Sequence, residues 1–263
     1  MPYKAHELKS GEQIEKMRVA GQAVFKTLQR CREVCEPGVT TAQIDAEAER
    51  MLAEWPGAVP LFKGYPAPSR SVPPFPAVTC ISVNEQVVHG IPGERVVKEG
   101  DLVSVDFGVR IDGWCGDSAT TILVGKVRPK WRKLCEVTER VLEIAIEQIR
   151  PGIKWSHVAR RMQDYAERLG MSVIKNFVGH GIGKELHEDP KVPNYVSPEL
   201  ERHDIELVPG MVLAIEPMCC LGADRVKTLD DGWTVATADN KPAAHYEHTV
   251  AITDNGCEVL TAG

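Results

Sequence analysis

Two acidic residues, Asp106 and Asp117, occupy positions from which their carboxylates could act together. The segment 102–109 alternates apolar and polar residues, which is typical of a half-buried strand, and Asp106 lies on its polar face. The pair Asp112-Gly113 predicts a tight hairpin turn that leads into a return strand. In that register Asp106 faces Ala119, and Asp117 is its diagonal neighbour on the same face, within about 7–8 Å.

The second half of the chain repeats this pattern with Glu216 and Glu247. The segment 209–216 parallels 99–106, with glycines in register, so that Glu216 takes the place of the first acid. A second Asp-Gly pair at 231–232 repeats the turn, and the strand predicted after it carries Glu247 in the place of the second acid. The sequence therefore predicts two similar hairpins that each contribute two carboxylates.

Four carboxylates gathered in one place need a positive partner. A single hairpin of this kind could carry solvated acids on an exposed sheet face, but its repetition favours a shared site. Two unit charges 4 Å apart repel by about 4 kcal/mol at an effective dielectric of 20. No cluster of lysines or arginines accompanies the acids in sequence, so either some acids are protonated or a polyvalent cation lies among them.

Two histidines, His89 and His180, lie in similar glycine-containing motifs, HGIP and GHGIG. Glycine allows close backbone approach and leaves the imidazole projecting, although a histidine beside glycine can also be purely structural. Carboxylates with one imidazole and no cysteine argue against a structural zinc site and suit manganese, iron(II), cobalt or a catalytic zinc. Two divalent ions about 3.5–4 Å apart would match the charge and lower the pKa of bound water from about 15.7 toward about 7.

Each half also begins with the same helical pattern, a helix, a Pro-Gly turn and a second helix. The predicted helices are 12–36, closed by Pro37-Gly38, a helix capped by Thr41, 129–149, closed by Pro151-Gly152, and a helix capped by Ser156 that runs to 169. The duplication predicts one α+β domain over 1–263 with pseudo-two-fold symmetry and halves of about 10–125 and 129–261. A central antiparallel sheet would be covered by helices.

The segment 60–76 contains six prolines, which exclude a helix or a central strand. We expect it to form a surface loop that contributes to the wall or lid of a site.

Composition narrows the class of protein. The 263 residues are 43% hydrophobic and 26% charged, as in an ordinary globular protein, and the net charge of −6 argues against a nucleic-acid or acidic-membrane partner. Its polar first residues predict no signal peptide, and no apolar run approaches the roughly 20 residues of a membrane span. Its eight cysteines form no CxxC pair, which favours reduced thiols and a cytoplasmic location.

These motifs together resemble the type I methionine aminopeptidases over about residues 9–260. The matching motifs are HGIP at His89, DFG and GDS around Asp106 and Asp117, GHGIG at His180, LHEDP at His187, AIEP at Glu216 and YEHT at Glu247. The resemblance implies the pita-bread fold and hydrolytic removal of the initiator methionine from new proteins whose second residue is small. It also implies a monomer that acts on peptide or nascent-protein N-termini, with an association with the ribosome left open.

The resemblance further implies a role for each site residue. Two divalent ions (Co, Mn, Fe(II) or Zn) would be bound by Asp106, Asp117, His180, Glu216 and Glu247. Glu216 would also be the general base for the water that the ions share, and His89 and His187 would donate hydrogen bonds to the substrate and the tetrahedral intermediate. The apolar methionine pocket would consist of Phe62, Tyr65, Cys80 and Trp233.

The sequence departs from the family pattern in the proline-rich loop, which is about ten residues longer than usual, and at Val59 and Leu186, where the pocket often has other side chains. Two alternatives stay open. One is an X-Pro dipeptidase or aminopeptidase of the same fold, whose members usually carry a further N-terminal domain. The other is a non-catalytic binding module, although all five ligand positions are filled here.

Overall fold

A computed structural model describes residues 7–67 and 69–263. These residues form two pairs of longer helices, one short helix and groups of mostly short strands that follow them. The helices are α1 (Gly11–Val34), α2 (Thr41–Leu52), α3 (Pro129–Gln148), α4 (Trp155–Arg168) and α5 (Pro198–Arg202). The strands are β1 (Val59–Pro60), β2 (Cys80–Val83), β3 (Gln86–Val88), β4 (Leu102–Ile111), β5 (Trp114–Leu123), β6 (Ser172–Val173), β7 (Gly179–Gly181), β8 (Glu188–Val192), β9 (Val212–Ile215), β10 (Met218–Cys220), β11 (Val226–Thr228), β12 (Val235–Thr237), β13 (Ala243–His245), β14 (His248–Thr253) and β15 (Gly256–Val259).

The helix boundaries follow local capping signals, with two differences from the sequence prediction. Helix α1 starts at a capping box, in which the Ser10 hydroxyl accepts a hydrogen bond from the backbone N–H of Gln13. Helix α2 is capped by Thr40 rather than Thr41, so the predicted cap is one residue too late. The predicted cap at Ser156 is wrong, because α4 already starts at Trp155. The Ser156 hydroxyl instead donates to the carboxylate of Asp204, which is distant in sequence.

The hairpin of β4 and β5 has the predicted register. Asp106 pairs with Ala119 across the two strands, and Ile111 pairs with Trp114 at the turn. Asp112 has a φ of 49° and Gly113 a φ of 81°. Two successive left-handed residues make the type I′ turn that matches the right-handed twist of a two-stranded ribbon.

The second predicted hairpin is wrong in its connection, although the two strands that flank its acids do pair. Strand β9 pairs antiparallel with β14, so that Ile215 lies opposite His248. The turn at Asp231-Gly232 instead joins β11 to β12, which belong to a separate three-stranded sheet with β3. Glu216 therefore directly follows β9 and Glu247 directly precedes β14, and a long excursion of the chain separates them.

The strands of the described residues form four sheets rather than one continuous sheet. The four-stranded sheet has the order β1-β4-β2 with β5 paired to β4, and the five-stranded sheet has the order β15-β14-β9-β7-β8. An isolated bridge between Ala119 and Glu247 joins β5 to the start of β14 and thus connects these two sheets. The first half of the chain and the second half therefore meet at the acids.

The helices bury apolar faces against these sheets. Helices α1 and α2 cover the four-stranded sheet around a core that includes Val24, Val105 and Phe107. Helices α3 and α4 pack on each other over a second core that includes Trp155 and Leu213. Within the described residues, none of the helices combines the length and apolar character that a membrane span requires.

The packing of α1 on β5 requires glycine at residue 116. A Cβ atom built at Gly116 would lie 2.8 Å from the backbone nitrogen of Gly21 and 2.9 Å from the backbone carbon of Ala20. We expect Gly116→Ala to lower the free energy of unfolding by about 1–3 kcal/mol, because backbone atoms cannot yield as a side chain can. Denaturant unfolding monitored by circular dichroism measures this change.

The control substitution is Gly11→Ala at the start of α1, where a Cβ would meet nothing within 4 Å. It should leave stability unchanged or raise it by about 0.4–1 kcal/mol. Equal stabilities of the Gly116→Ala variant and the unmodified protein would contradict this account of the interface.

Candidate active site

A cavity of about 540 Å³ opens where the two larger sheets meet. All the residues that the sequence assigned to metal, catalysis or substrate lie on its wall. They are Phe62, Tyr65, Cys80, His89, Asp106, Asp117, His180, His187, Glu216, Trp233 and Glu247. The structure therefore brings the predicted site residues together around one cavity.

The backbone around the four acids is fixed by hydrogen bonds between the two halves. The N–H of Glu247 donates to the carbonyl of Ala119 at 2.9 Å, and the N–H of Asp117 donates to the hydroxyl of Thr249 at 3.1 Å. The Thr249 hydroxyl in turn donates to the carbonyl of Asp117 at 2.8 Å. These contacts hold the carboxylates of both halves on the same side of the junction.

Two of the four carboxylates are buried and the other two, Asp106 and Glu216, are half-buried, and none of them has a lysine or arginine partner among the described residues. Asp117 is 4% exposed and Glu247 is 2% exposed, and the only ion-pair partners that the described residues provide for any of the four acids are histidines. Burial raises the pKa of Asp117 to about 7. Burial also raises the pKa values of Asp106, Glu216 and Glu247, and the charges of neighbouring acids raise them further.

Several carboxylate oxygens have no hydrogen-bond partner. Oδ1 of Asp106, Oδ1 of Asp117 and Oε1 of Glu247 are buried and unpaired. Because buried polar atoms are almost always satisfied, these oxygens point to a ligand that accepts their lone pairs, and a divalent cation fits. The donor set of oxygens and imidazole nitrogen without thiolate suits a catalytic metal rather than a structural zinc.

His180 presents a free nitrogen to these oxygens. Its Nδ1 lies 2.9 Å from the carbonyl oxygen of Gly181, and burial lowers its pKa to about 4, so the neutral ring donates Nδ1–H to that carbonyl. The lone pair is then on Nε2, which lies 3.8 Å from Oε1 of Glu216. An imidazole fixed in this tautomer is the usual form of a metal-binding histidine.

Two groups of side chains bring one donor atom each within 4.8 Å of one another. The first group is Asp117, His180 and Glu247, and the second is Glu216, His245 and Glu247. The sequence analysis missed His245, which is buried. The signal that could have found it is its position two residues before Glu247, which places both side chains on the same face of an extended segment.

His89 and His187 lie on the cavity wall, and each makes edge contacts with neighbouring rings; the ring centres of His187 and His180 are 4.4 Å apart. His89 has a left-handed φ of 58°, and its ring makes an edge contact with Phe177 at 5.4 Å between ring centres. Burial lowers the pKa of His89 to about 4 and also lowers the pKa of His187, so both rings are neutral at pH 7. The hydroxyl of Tyr65 lies 2.8 Å from Nδ1 of His187.

Aromatic and sulfur-containing side chains form one part of the cavity. Phe62, Cys80 and Trp233 are buried there, and Phe75, which the sequence analysis did not select, packs edge-on against Trp233 at 5.2 Å. The indole N–H of Trp233 donates to the carbonyl of Pro73 at 2.9 Å. The described part of the proline-rich loop therefore supports this wall.

The two positions that depart from the family pattern have different surroundings. Leu186 lines the cavity, whereas Val59 is 54% exposed and lies outside the lining.

Comparison with known proteins identifies the protein family to which the chain belongs. The model of metallopeptidase family M24 matches residues 15–254, and the chain belongs to this family. Methionine aminopeptidase 1 of Bacillus subtilis is 45% identical over 93% of this chain and 94% of its own length.

Solved structures give the same result for the fold. The crystal structure of methionine aminopeptidase from Thermotoga maritima is 43% identical, covers 98% of this chain and 100% of that chain, and superposes with a TM-score of 0.92. The prolidase from Pyrococcus horikoshii shares the fold at 22% identity and a TM-score of 0.74, and the match covers 97% of this chain and 63% of the prolidase. The chain has the pita-bread fold that was predicted.

The raised carboxylate pKa values predict how metal affects stability. An acid with a raised pKa binds more protons in the folded than in the unfolded chain, so its contribution to stability is lost as pH rises through about 7, the pKa of Asp117. Divalent cations bind the ionised form of these acids, so bound cations offset the stability that is otherwise lost as pH rises. Protein freed of metal by a chelator should therefore gain more in Tm from added Mn²⁺ at about pH 8 than at about pH 6.

Comparing the same protein with and without Mn²⁺ at each pH cancels the contributions of histidines whose side chains point away from the acids, such as His248, which lies on the opposite face of its strand from Glu247. Burial lowers the pKa of His248 to about 4, so its contribution to stability has the opposite dependence on pH. A gain in Tm that does not depend on pH would contradict the assignment of cations to these carboxylates.

Proposed function

We propose that this chain is a metalloaminopeptidase that removes the initiator methionine from the N-terminus of proteins whose second residue is small. The observation that carries the proposal is the group of four buried or half-buried carboxylates with His180, placed beside an apolar pocket in one cavity. The identity of 45% with a methionine aminopeptidase over nearly the whole chain supports the same substrate.

The cofactor in this proposal is a pair of divalent ions of cobalt, manganese, iron(II) or zinc. The side chains that would hold them are Asp106, Asp117, His180, Glu216 and Glu247, whose unpaired oxygens and free imidazole nitrogen fit such ions. When bound, the ions activate water as a nucleophile and polarise the carbonyl of the scissile peptide bond.

Glu216 has the position of a general base. It lies on the cavity wall at the end of β9, where its carboxylate can accept a proton from the attacking water and pass it to the leaving amine. Its backbone is held because the side-chain amide of Asn194 donates to the Glu216 carbonyl at 3.1 Å.

His89 and His187 act as hydrogen-bond donors to the substrate and to the oxyanion that develops on its carbonyl. Each is a neutral ring on the cavity wall and therefore carries one N–H. Burial raises the pKa of Tyr65, so its phenol stays protonated and can donate to Nδ1 of His187. This contact leaves the proton of His187 on Nε2, where it can donate to substrate.

The apolar part of the cavity takes the methionine side chain. Phe62, Cys80, Trp233 and Tyr65 offer aromatic edges and a thiol, and a thioether packs well against such soft surfaces. Burial raises the pKa of the Cys80 thiol well above its usual value, so Cys80 contributes as a neutral apolar group rather than as a thiolate.

The physiological setting in this proposal is the cytoplasm, where a monomer acts on nascent chains close to the ribosome. All eight cysteines are free thiols, which suits a reducing compartment. The chain works as one catalytic domain whose two halves, about 10–125 and 129–261, each provide two of the acids.

A direct assay separates the proposal from its nearest rival. Purified protein with Mn²⁺ or Co²⁺ should release methionine from Met-Ala-Ser much faster than it cleaves Ala-Pro, because only the first substrate fills the thioether pocket. Chromatography of the products measures both rates. Preferential cleavage of Ala-Pro would instead identify an X-Pro dipeptidase, and no cleavage with any divalent metal would favour a binding module.

The role of Glu216 has its own test. Glu216→Gln keeps the shape of the side chain but removes the base and one ligand charge, so kcat for Met-Ala-Ser should fall by about 10²–10⁴-fold. The matched control is Glu143→Gln on the exposed face of α3, which should keep normal turnover. Near-normal turnover of Glu216→Gln, with a normal circular dichroism spectrum, would place the base elsewhere.

A further inference from the structure

A buried histidine outside the predicted site, His245, faces the metal-binding carboxylates. It is the last residue of β13 and is 2% exposed. Its backbone N–H donates to the hydroxyl of Thr121 at 2.9 Å, and that hydroxyl donates back to the His245 carbonyl at 2.8 Å. The main chain of His245 is thus anchored on β5, the strand that carries Asp117.

The ring nitrogen Nε2 of His245 has no hydrogen-bond partner, although it is fully buried. Its neighbouring acceptors are two carboxylate oxygens, Oε2 of Glu216 at 3.7 Å and Oε2 of Glu247 at 3.9 Å. Because buried polar atoms are almost always satisfied, one of these oxygens is the natural partner of Nε2. A shift of about 0.5–1 Å brings either pair within hydrogen-bond distance.

His245 lies behind the carboxylates rather than among the groups that face the substrate. Glu216 and Glu247 both line the cavity, whereas His245 does not. An ion that enters from the cavity therefore meets the two carboxylates before it meets this imidazole. This placement favours a hydrogen-bond donor to the outer oxygens over a direct metal ligand.

The carboxylate of Glu216 consequently lies between two imidazoles, that of His180 on the cavity side and that of His245 behind it. Its Oε1 is 3.8 Å from Nε2 of His180, and its Oε2 is 3.7 Å from Nε2 of His245. The terminal torsion of a glutamate is broad, so a carboxylate held at one oxygen loses a large part of its rotational freedom. A donor at Oε2 directs Oε1 toward the side on which His180 lies.

We propose that His245 is a positioning residue of the metal centre, whose Nε2–H donates to the outer oxygen of Glu216 and orients this carboxylate toward the ions. The inference rests on the proposed function, because it assigns His245 to the same metal-assisted hydrolysis. Partners of this kind behind a metal ligand typically change metal affinity or activity by about 10–100-fold when they are removed.

The test compares His245→Ala with His245→Gln in the full-length protein. Isothermal titration with Mn²⁺ should show about 10–100-fold weaker binding for His245→Ala, and kcat for Met-Ala-Ser should fall while KM changes little. His245→Gln retains an N–H donor and should recover most of the affinity and of kcat. Unchanged Mn²⁺ affinity in His245→Ala, or no recovery in His245→Gln, would overturn the proposal.

The matched control is His248→Gln. His248 is the first residue of β14 and follows Glu247, so its side chain lies on the opposite face of the strand, where Nδ1 is 2.9 Å from the hydroxyl of Thr261 and 3.4 Å from that of Ser118. This variant should lose stability but keep the Mn²⁺ affinity of the unmodified protein. Equal losses of affinity in the two histidine variants would mean that general loosening of the core, not a contact with Glu216, causes the effect.

X-ray absorption at the Mn edge distinguishes a positioning residue from a ligand. The number of imidazoles bound to manganese should be the same in His245→Ala as in the unmodified protein, and the loss of one imidazole would make His245 a ligand and overturn the proposal. If the unmodified protein binds Mn²⁺ but does not cleave Met-Ala-Ser, the proposed function fails, while the affinities and imidazole numbers still test His245.

Discussion

The structure depends on one electrostatic constraint, the enclosure of four buried or half-buried carboxylates that no lysine or arginine of the described residues neutralises. An isolated ionised carboxylate in a low-dielectric interior is too costly to persist without a partner. Asp106, Asp117, Glu216 and Glu247 must therefore either hold protons or surround cations. Their raised pKa values describe the first state, and their unpaired oxygens favour the second. The proposed affinity for cations is thus a consequence of how the folded chain brings these four acids together.

The fold meets this constraint by closing two halves around the acids. The bridge between Ala119 and Glu247 links the hairpin of the first half to the five-stranded sheet of the second. Glycine is needed beside His180, because a Cβ at Gly179 or Gly181 would overlap the backbone of a neighbouring strand. The same close packing fixes the position of His180, the proposed metal ligand. Three of the proposed ligands lie on strands and the two glutamates lie directly beside strand ends, and such rigid placement keeps the geometry of the site precise.

The sequence allowed prediction of those features that depend on local rules. The alternation in β4 and the Asp-Gly turn predicted the pairing of Asp106 with Ala119, because a two-residue hairpin has a single register. The same turn signal at 231–232 led to a wrong connection, since a turn specifies only the strands beside it and not distant pairing. His245 was missed for a related reason: its neighbours Glu216 and Thr121 are remote in sequence, and its place two residues before Glu247 indicates only a shared face of one extended segment. Resemblance to a family supplied the roles of His89 and His187, which neither spacing nor alternation indicates.

The most direct test of the central claim is the anomalous scattering of manganese in crystals of the unmodified protein grown with Mn²⁺. Data collected at the manganese absorption edge locate the ions without any assumption about activity. Two anomalous peaks among the side chains of Asp106, Asp117, His180, Glu216 and Glu247 are the predicted result. The absence of any peak among these side chains, or ions bound only elsewhere on the protein, would contradict it.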